Sequence, residues 1–217
     1  MAKVNLGILD GFNGKVGTVV GYSRYGKDWM RAYTDEVSDR RSGEQLLVRA
    51  RFRLLSLVGS GMLTALQVGL AEAPRRHGNT PSNTFMHLNW VNATGATPAA
   101  VEVDYASLQL SEGHLPQPSF SQASFAQSQS VSVEFPTHSD LPKTSDDDLV
   151  YLFVYQPESN MGLLSPAVSR STGSISLLVP SEWVGLDVHV YGFAIGDGEE
   201  NAGMRSSTAY LGSGTIG

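Results

Sequence analysis

The chain has 217 residues, 41% hydrophobic and 17% charged, enough to bury one sizeable core or two small ones. It contains no cysteine, which excludes a disulfide framework, a thiolate zinc site and a thiol nucleophile. The net charge of −6 divides unevenly, with a balance of +5 over residues 1–76 and −11 over residues 77–217; such asymmetry points to a basic end facing an anionic partner, or to head-to-tail contact between copies.

The opening MAKVNLGILDG lacks the long apolar core and small-residue cleavage site of a secretory signal. No run approaches the roughly 20 apolar residues that span a bilayer. The expectation is cytoplasmic synthesis without a signal peptide and no transmembrane segment. Residues 3–33 read as short strands punctuated by glycine, with turns at Gly11–Gly14 and Tyr25–Lys27 and flanking strands Lys15–Tyr22 and Asp28–Tyr33. Their apolar groups, Leu6, Ile8, Leu9, Phe12, Val19, Trp29 and Met30, are too few to make a core in so short a segment. They call for packing on the rest of the chain or, as an arm, on another subunit.

After a polar connector (Thr34 to Arg41), Ser42 to Leu70 carries apolar residues at helical spacing: Leu47, Ala50, Leu54, Leu57, Val58, Leu63, Leu66 and Leu70. Ser42 with Gln45 is a capping-box start. The Gly59-Ser60-Gly61 cluster is a place for the helix to bend or break, since glycine costs about 1 kcal/mol relative to alanine in a helix interior. Arg49 and Arg53 lie one turn apart on one flank and Arg51 lies elsewhere. Ala73 to Asn79 reads as a loop, and Thr80-Pro81 as an N-cap with proline at the first helical position, opening a helix with Phe85, Leu88, Trp90 and Val91 that ends near Gly95.

From Thr97 the texture turns to β: VEVDYASLQLS, SFSQASF, VSVEF, DLVYLFVYQ, SISLLV, DVHVYGFAI and a final SSTAYLG. Short strands separated by Pro, Gly, Asn and Asp clusters predict an antiparallel β-sandwich. Asp197-Gly198 is a hairpin signal, and the tail LGSGTIG is expected to be disordered or held by a neighbour. The predicted fold class is therefore α+β: a glycine-rich β-hairpin arm and one or two helices over residues 1–95, then an immunoglobulin-like sandwich over 96–217.

These landmarks resemble a family of Bacteroidota proteins of similar length, defined only as a domain of unknown function. The matching residues are Gly14-Lys15-Val16-Gly17, Gly26-Lys27 with Arg31, Gln45 with Arg49 and Phe52, Asp104-Tyr105, Leu110 to Gly113, Tyr155 to Glu158, Pro180 with Trp183, Val188 to Tyr191, and Tyr210-Leu211-Gly212. They span nearly the whole chain. The resemblance implies a basic N-terminal module plus an immunoglobulin-like half, and no activity.

Chemical motifs are scarce. A phosphate-cradling loop needs G-x-x-x-x-G-K followed by Ser or Thr; Gly14-Lys15 is followed by Val16, and Leu9 stands where the first glycine belongs. A nucleophile elbow needs G-x-S-x-G, and Gly21-Tyr22-Ser23-Arg24-Tyr25 lacks the last glycine. His77, His87, His114, His138 and His189 show no ligand spacing. Asp146-Asp147-Asp148 reads as a solvated loop rather than a calcium site, and Asp197 to Asn201 as a hairpin tip. Trp29, Trp90, Trp183, Tyr151, Tyr155 and Tyr191 read as core before they read as a sugar-binding face. No cofactor is expected.

What remains is a basic set: Lys15, Arg24, Lys27, Arg31, Arg40, Arg41, Arg49, Arg51, Arg53, Arg75 and Arg76. Of these, Lys15, Lys27, Arg31, Arg49, Arg51 and Arg53 are the candidate interaction residues. Asp28, Asp35, Glu36, Asp39 and Glu44 are interleaved with them, so subunit contact with the acidic half is the simpler use. The expected function is a non-enzymatic, self-assembling structural protein, of the phage-derived or virion kind, whose partners are copies of itself. Alternatives are a nucleic-acid-associated module using the helix arginines and a carbohydrate- or surface-binding module using the β half.

Overall fold

The computed structural model describes residues 3–4, 12–24, 27–36, 39, 41–71, 80–126 and 129–217. The chain gathers into two compact units, Met1–Ser42 and Gly43–Gly217. Of the expected Gly11–Gly14 turn, Gly11 lies outside the described residues and Phe12 to Gly14 are strand instead; the Tyr25-Gly26 turn, the Ala73–Asn79 loop and Arg40, Arg75, Arg76 and His77 also lie outside the described residues.

The first unit is an antiparallel four-stranded sheet in chain order: β1 (Lys3–Val4), β2 (Phe12–Val16), β3 (Val19–Arg24) and β4 (Lys27–Ala32). The β2–β3 turn is Gly17-Thr18, where Gly17 adopts φ +57°. The expected single strand Lys15–Tyr22 is thus two strands, because Gly17 reaches the left-handed conformation a tight hairpin needs.

In the second unit, α1 (Gly43–Gly61) stops at Met62 and α2 (Leu63–Gly69) departs from it at 81°. The break falls at the glycine cluster, as the sequence predicts. No single helix among the described residues is long and apolar enough to cross a membrane. α3 (Pro81–Leu88) begins as expected, with Thr80 Oγ1 accepting from Asn83 N at 3.2 Å and proline in the first turn. It ends at Leu88, earlier than expected, and continues as a 3-10 turn over Trp90–Asn92.

A five-stranded sheet follows, β10–β9–β13–β14 with β11 beside β9: β9 is Leu149–Gln156, β10 Met161–Leu164, β11 Val168–Ser169, β13 Asp187–Ile195 and β14 Ala209–Thr215. A three-stranded sheet, β12–β8–β7, is built from β7 (Ser124–Ala126), β8 (Ser130–Glu134) and β12 (Ser174–Leu178). This is the A-B-E against C′-C-F-G division of an immunoglobulin-like sandwich, so the α+β class stands. A separate small pair, β5 (Ala93–Thr94) and β6 (Glu102–Val103), closes the helical layer.

Alternation along β9 and β13 makes the five-stranded sheet the middle layer. Val150, Leu152, Val154, Val188, Val190 and Ala194 face the three-stranded sheet, packing with Val131, Val133, Ile175 and Trp183. The alternate residues Phe153, Tyr155, Tyr191 and Phe193 pack with Leu55, Val58, Leu66 and Phe85 of the helices. The expected boundary at 95/96 therefore falls inside the second unit, because the helices have no core apart from the sheet's.

Two expected β segments differ. Most of VEVDYASLQLS is not strand: Asp104 Oδ1 accepts from Ala106 N at 3.1 Å and closes a 3-10 turn, and Leu108 and Leu110 are delivered to the helix-side core. The tail is neither loose nor waiting for a neighbour. It is β14, paired along β13, with Ile216 buried.

Candidate functional site

The six basic residues singled out by sequence divide three and three. Lys15, Lys27 and Arg31 belong to the N-terminal sheet, and Arg49, Arg51 and Arg53 to α1.

Register sorts the sheet into two unlike faces. Lys15 pairs with Val20 and Val20 with Arg31; Tyr22 pairs with Trp29, and Lys27 lies two residues before Trp29. Paired residues, and residues two apart on a strand, share a face. One face therefore carries Lys15, Arg31 and Lys27 around Tyr22 and Trp29, which are 40% and 52% exposed. The Lys15 ammonium lies 3.2 Å from the Tyr33 ring centroid, a cation–π contact, and 3.9 Å from Asp35 Oδ1. The opposite face carries Val16, Val19, Gly21, Met30 and Ala32, with Val16 54% and Met30 72% exposed. Ser23 Oγ donates to Asp28 Oδ1 at the end of that face. Among the described residues of this sheet, only Gly21 is buried.

On α1 the three arginines do not converge. Arg49 and Arg53, with Ala50, Leu54, Leu57, Pro98 and Val101, line an open groove of about 450 Å³. Arg51 turns away, and its Nη2 donates to the Gly95 carbonyl at 3.4 Å. This contact ties the helix to the β5–β6 segment.

The acidic run Asp146–Asp148, expected to be a solvated loop, is so only in part. Asp146 and Asp147 are exposed, but Asp148 is fully buried and pairs with the buried Arg170, Nη2 to Oδ2 3.4 Å. Nothing in a D-D-D run marks its third member as core, and the signal lies in the pairing with Arg170 across the fold. Sequence reasoning also missed Asn89, whose amide donates to the Phe85 carbonyl (3.0 Å) and the Gln109 carbonyl (2.9 Å) and accepts from Gln109 N (2.8 Å). Among the described residues no group of His, Asp and Glu side chains could hold a metal ion.

The tyrosines of the middle sheet belong to the helix-side core. Burial pushes the phenols of Tyr155 and Tyr191 up strongly, and that of Tyr105 up as well. Tyr191 Oη donates to the Tyr105 carbonyl at 2.8 Å, and Tyr155 Oη to Asn160 Oδ1 at 2.7 Å. His189 is half-buried, stacks on Tyr105 at 4.5 Å between centroids, and its Nδ1 lies 3.0 Å from Tyr210 Oη.

Burial lowers the His189 pKa, opposed by the nearby Asp187 carboxylate. Its folded-state pKa thus lies below the unfolded value of about 6.5. The unfolded chain binds the proton first, so stability is full above that pH, falls as pH drops through it, and levels off below the folded-state pKa. His138 runs the other way, raised by its hydrogen bond to Asp146, but it is exposed on a surface loop. We expect the urea midpoint to fall between about pH 7.5 and about pH 5.5, and His189→Gln to flatten that fall. An equal fall in the variant would remove His189 as its cause.

A family described as a family of unknown function, DUF6266, matches residues 11–212. Among curated proteins, none matches the chain.

Proposed function

The chain belongs to this family of unknown function, and we propose that it is a non-enzymatic, self-assembling structural protein whose N-terminal sheet is the contact between copies. The observation that carries the reading is the state of that sheet: its described side chains are exposed or half-buried, including Val16, Tyr22, Trp29 and Met30. A sheet of this size needs a hydrophobic face covered to be stable, and covering one residue the size of Met30 is worth about 1.5–3 kcal/mol. The apolar face of Val16, Val19, Met30 and Ala32 is the one to be covered, and such a patch closes a dimer where it meets itself and builds rings or filaments where it meets a different surface of the next copy. The opposed charges of the two halves supply a second, salt-sensitive attraction between copies.

The motifs that carry the family resemblance support a source among the Bacteroidota. A phage-derived or virion particle is the concrete setting of this reading, by analogy of fold and composition alone.

Light scattering of the full chain at low and high salt tests it. The expected mass is a regular multiple of 23.3 kDa, and Val16→Glu with Met30→Glu, which place charges on the apolar face, reduce it to the single chain. A monomer at both salts before any substitution would end the assembly reading.

A further inference from the structure

We propose that the other face of the N-terminal sheet, the one bearing Lys15, Tyr22, Lys27, Trp29 and Arg31, binds single-stranded nucleic acid. The proposal does not rest on the assembly reading, since it uses the opposite face.

Three observations combine. The first is a cross-strand ring pair, Tyr22 opposite Trp29, 40% and 52% exposed on a sheet surface. Two large rings side by side and half-exposed on a sheet face offer an apolar platform on which unpaired bases can stack. The second is the placement of the cations: Arg31 and Lys27 lie two residues to either side of Trp29 on β4, and Lys15 lies in the Arg31 row through Val20. Each row is about 6.5–7 Å from the ring pair, so a strand laid across the sheet would present its bases to the rings while its phosphates passed the cations. The third is the distribution of opposing charge. Asp28 alternates onto the far face and bonds Ser23 there, and among the described residues Asp35, 3.9 Å from Lys15, is the carboxylate paired with one of these cations.

An acidic protein surface would use the cations and leave the rings idle. Bases use both, because every base has a π-face and stacking on aromatic side chains tolerates sequence. A four-stranded sheet presenting aromatic rings to two or three unpaired bases is an established solution for single strands. A duplex, with its bases already stacked, offers the rings nothing. Stacking and phosphate contact do not involve the ribose 2′-hydroxyl, so DNA and RNA strands are both candidate ligands.

The test is fluorescence anisotropy of labelled oligothymidylate and oligouridylate of about twelve nucleotides, titrated with the full-length protein from about 0.05 to 0.2 M salt. Expected is saturable binding that weakens with salt, weaker binding of a duplex of equal length, and weaker binding of labelled polyglutamate. The relative affinities of the two oligonucleotides identify which strand is preferred. Trp29→Ala loses about tenfold or more, and Trp29→Phe, which keeps a ring, restores most of it. The pair Lys15→Gln with Arg31→Gln, which keeps both rings, lowers the slope of log affinity against log salt by about 1.4. Lys143→Gln, which removes one positive charge in the second unit, leaves binding unaltered. Three results overturn the proposal: no binding of either oligonucleotide at low salt, polyglutamate bound as tightly as the strands, or affinity unchanged by both the Trp29→Ala and the Lys15/Arg31 variants. Circular dichroism of each variant separates loss of binding from loss of fold; where Trp29→Ala unfolds, the Lys15/Arg31 pair decides.

Discussion

Asp148→Ala is expected to cost about 3–5 kcal/mol of unfolding free energy, the range for removing one partner of a buried ion pair. Asp148 has no exposed surface and Arg170 is 2% exposed. The carboxylate is well supplied: Oδ1 accepts from Asn201 Nδ2 at 2.7 Å, Oδ2 from Ser145 N at 3.1 Å, and Arg170 Nη2 lies 3.4 Å from Oδ2. The guanidinium is not, for its Nε and Nη2 have no hydrogen-bond partner. Arg170 is therefore tolerated in the core chiefly through the charge of Asp148. Deleting that charge leaves a buried cation uncompensated. Replacing both residues by Leu and Met removes the desolvation cost along with the attraction, so the double variant is expected to be more stable than Asp148→Ala. Urea denaturation of the two variants decides it; a single variant costing less than about 1 kcal/mol would mean the pair is solvated.

The same pair shows what a sequence holds and what it conceals. The near-continuous apolar runs DLVYLFVYQ and DVHVYGFAI are strong enough to predict the central strands of the sandwich, because strands buried on both faces read as unbroken runs rather than alternating ones. The break in the first helix was legible at Gly59-Ser60-Gly61, and Thr80-Pro81 announced α3. β10 was missed, since MGLL is too short and too lightly patterned to stand out from a loop. The tail was misread because its glycines suggest disorder. In the fold Gly214 is required where Phe125 crosses it, with no room for a Cβ.

The candidate site was legible in part, and the missing part is a matter of register. The basic residues could be chosen by type, but their neighbours depend on where the first hairpin turns. With Lys15–Tyr22 as one strand, Lys15 and Tyr22 are seven residues apart and fall on opposite faces. With the turn at Gly17-Thr18, the chain reverses between them, and both face the same side with Trp29 and Arg31. A glycine inside a β-branched run, VGTVV, carries little weight as a turn signal, yet it decides whether cations and rings combine or separate. On α1, by contrast, helical spacing sufficed to set Arg51 apart from Arg49 and Arg53.

The second large effect is expected at Gly61, where alanine should destabilise the fold although the residue sits in a helix. By propensity alone, Gly→Ala in a helix interior gains about 1 kcal/mol. At Gly61 the added Cβ would lie 2.6 Å from Asn160 Oδ1 and nearer still to the Asn160 carbonyl oxygen. Asn160 cannot easily withdraw: its Nδ2 donates to the Leu57 carbonyl at 2.9 Å and to Ser60 Oγ at 3.2 Å, while its Oδ1 accepts from Tyr155 Oη. The same contact continues into β10, where a Cβ on Gly162 would meet the Gly61 carbonyl oxygen at 2.7 Å. Two backbones are pressed together here, so the strain falls on main chain rather than on a flexible side chain. Overpacking of this kind costs about 1–3 kcal/mol or more, and the steric loss outweighs the propensity gain. Gly43→Ala, at the open start of the same helix with nothing near its Cβ, isolates the propensity term and is expected to leave stability unchanged or slightly raised. Thermal melts of the two variants against the parent make the comparison. A Gly61→Ala protein as stable as Gly43→Ala would show that the end of α1 can lift off the sheet, and with it the 81° bend that sets the helical layer.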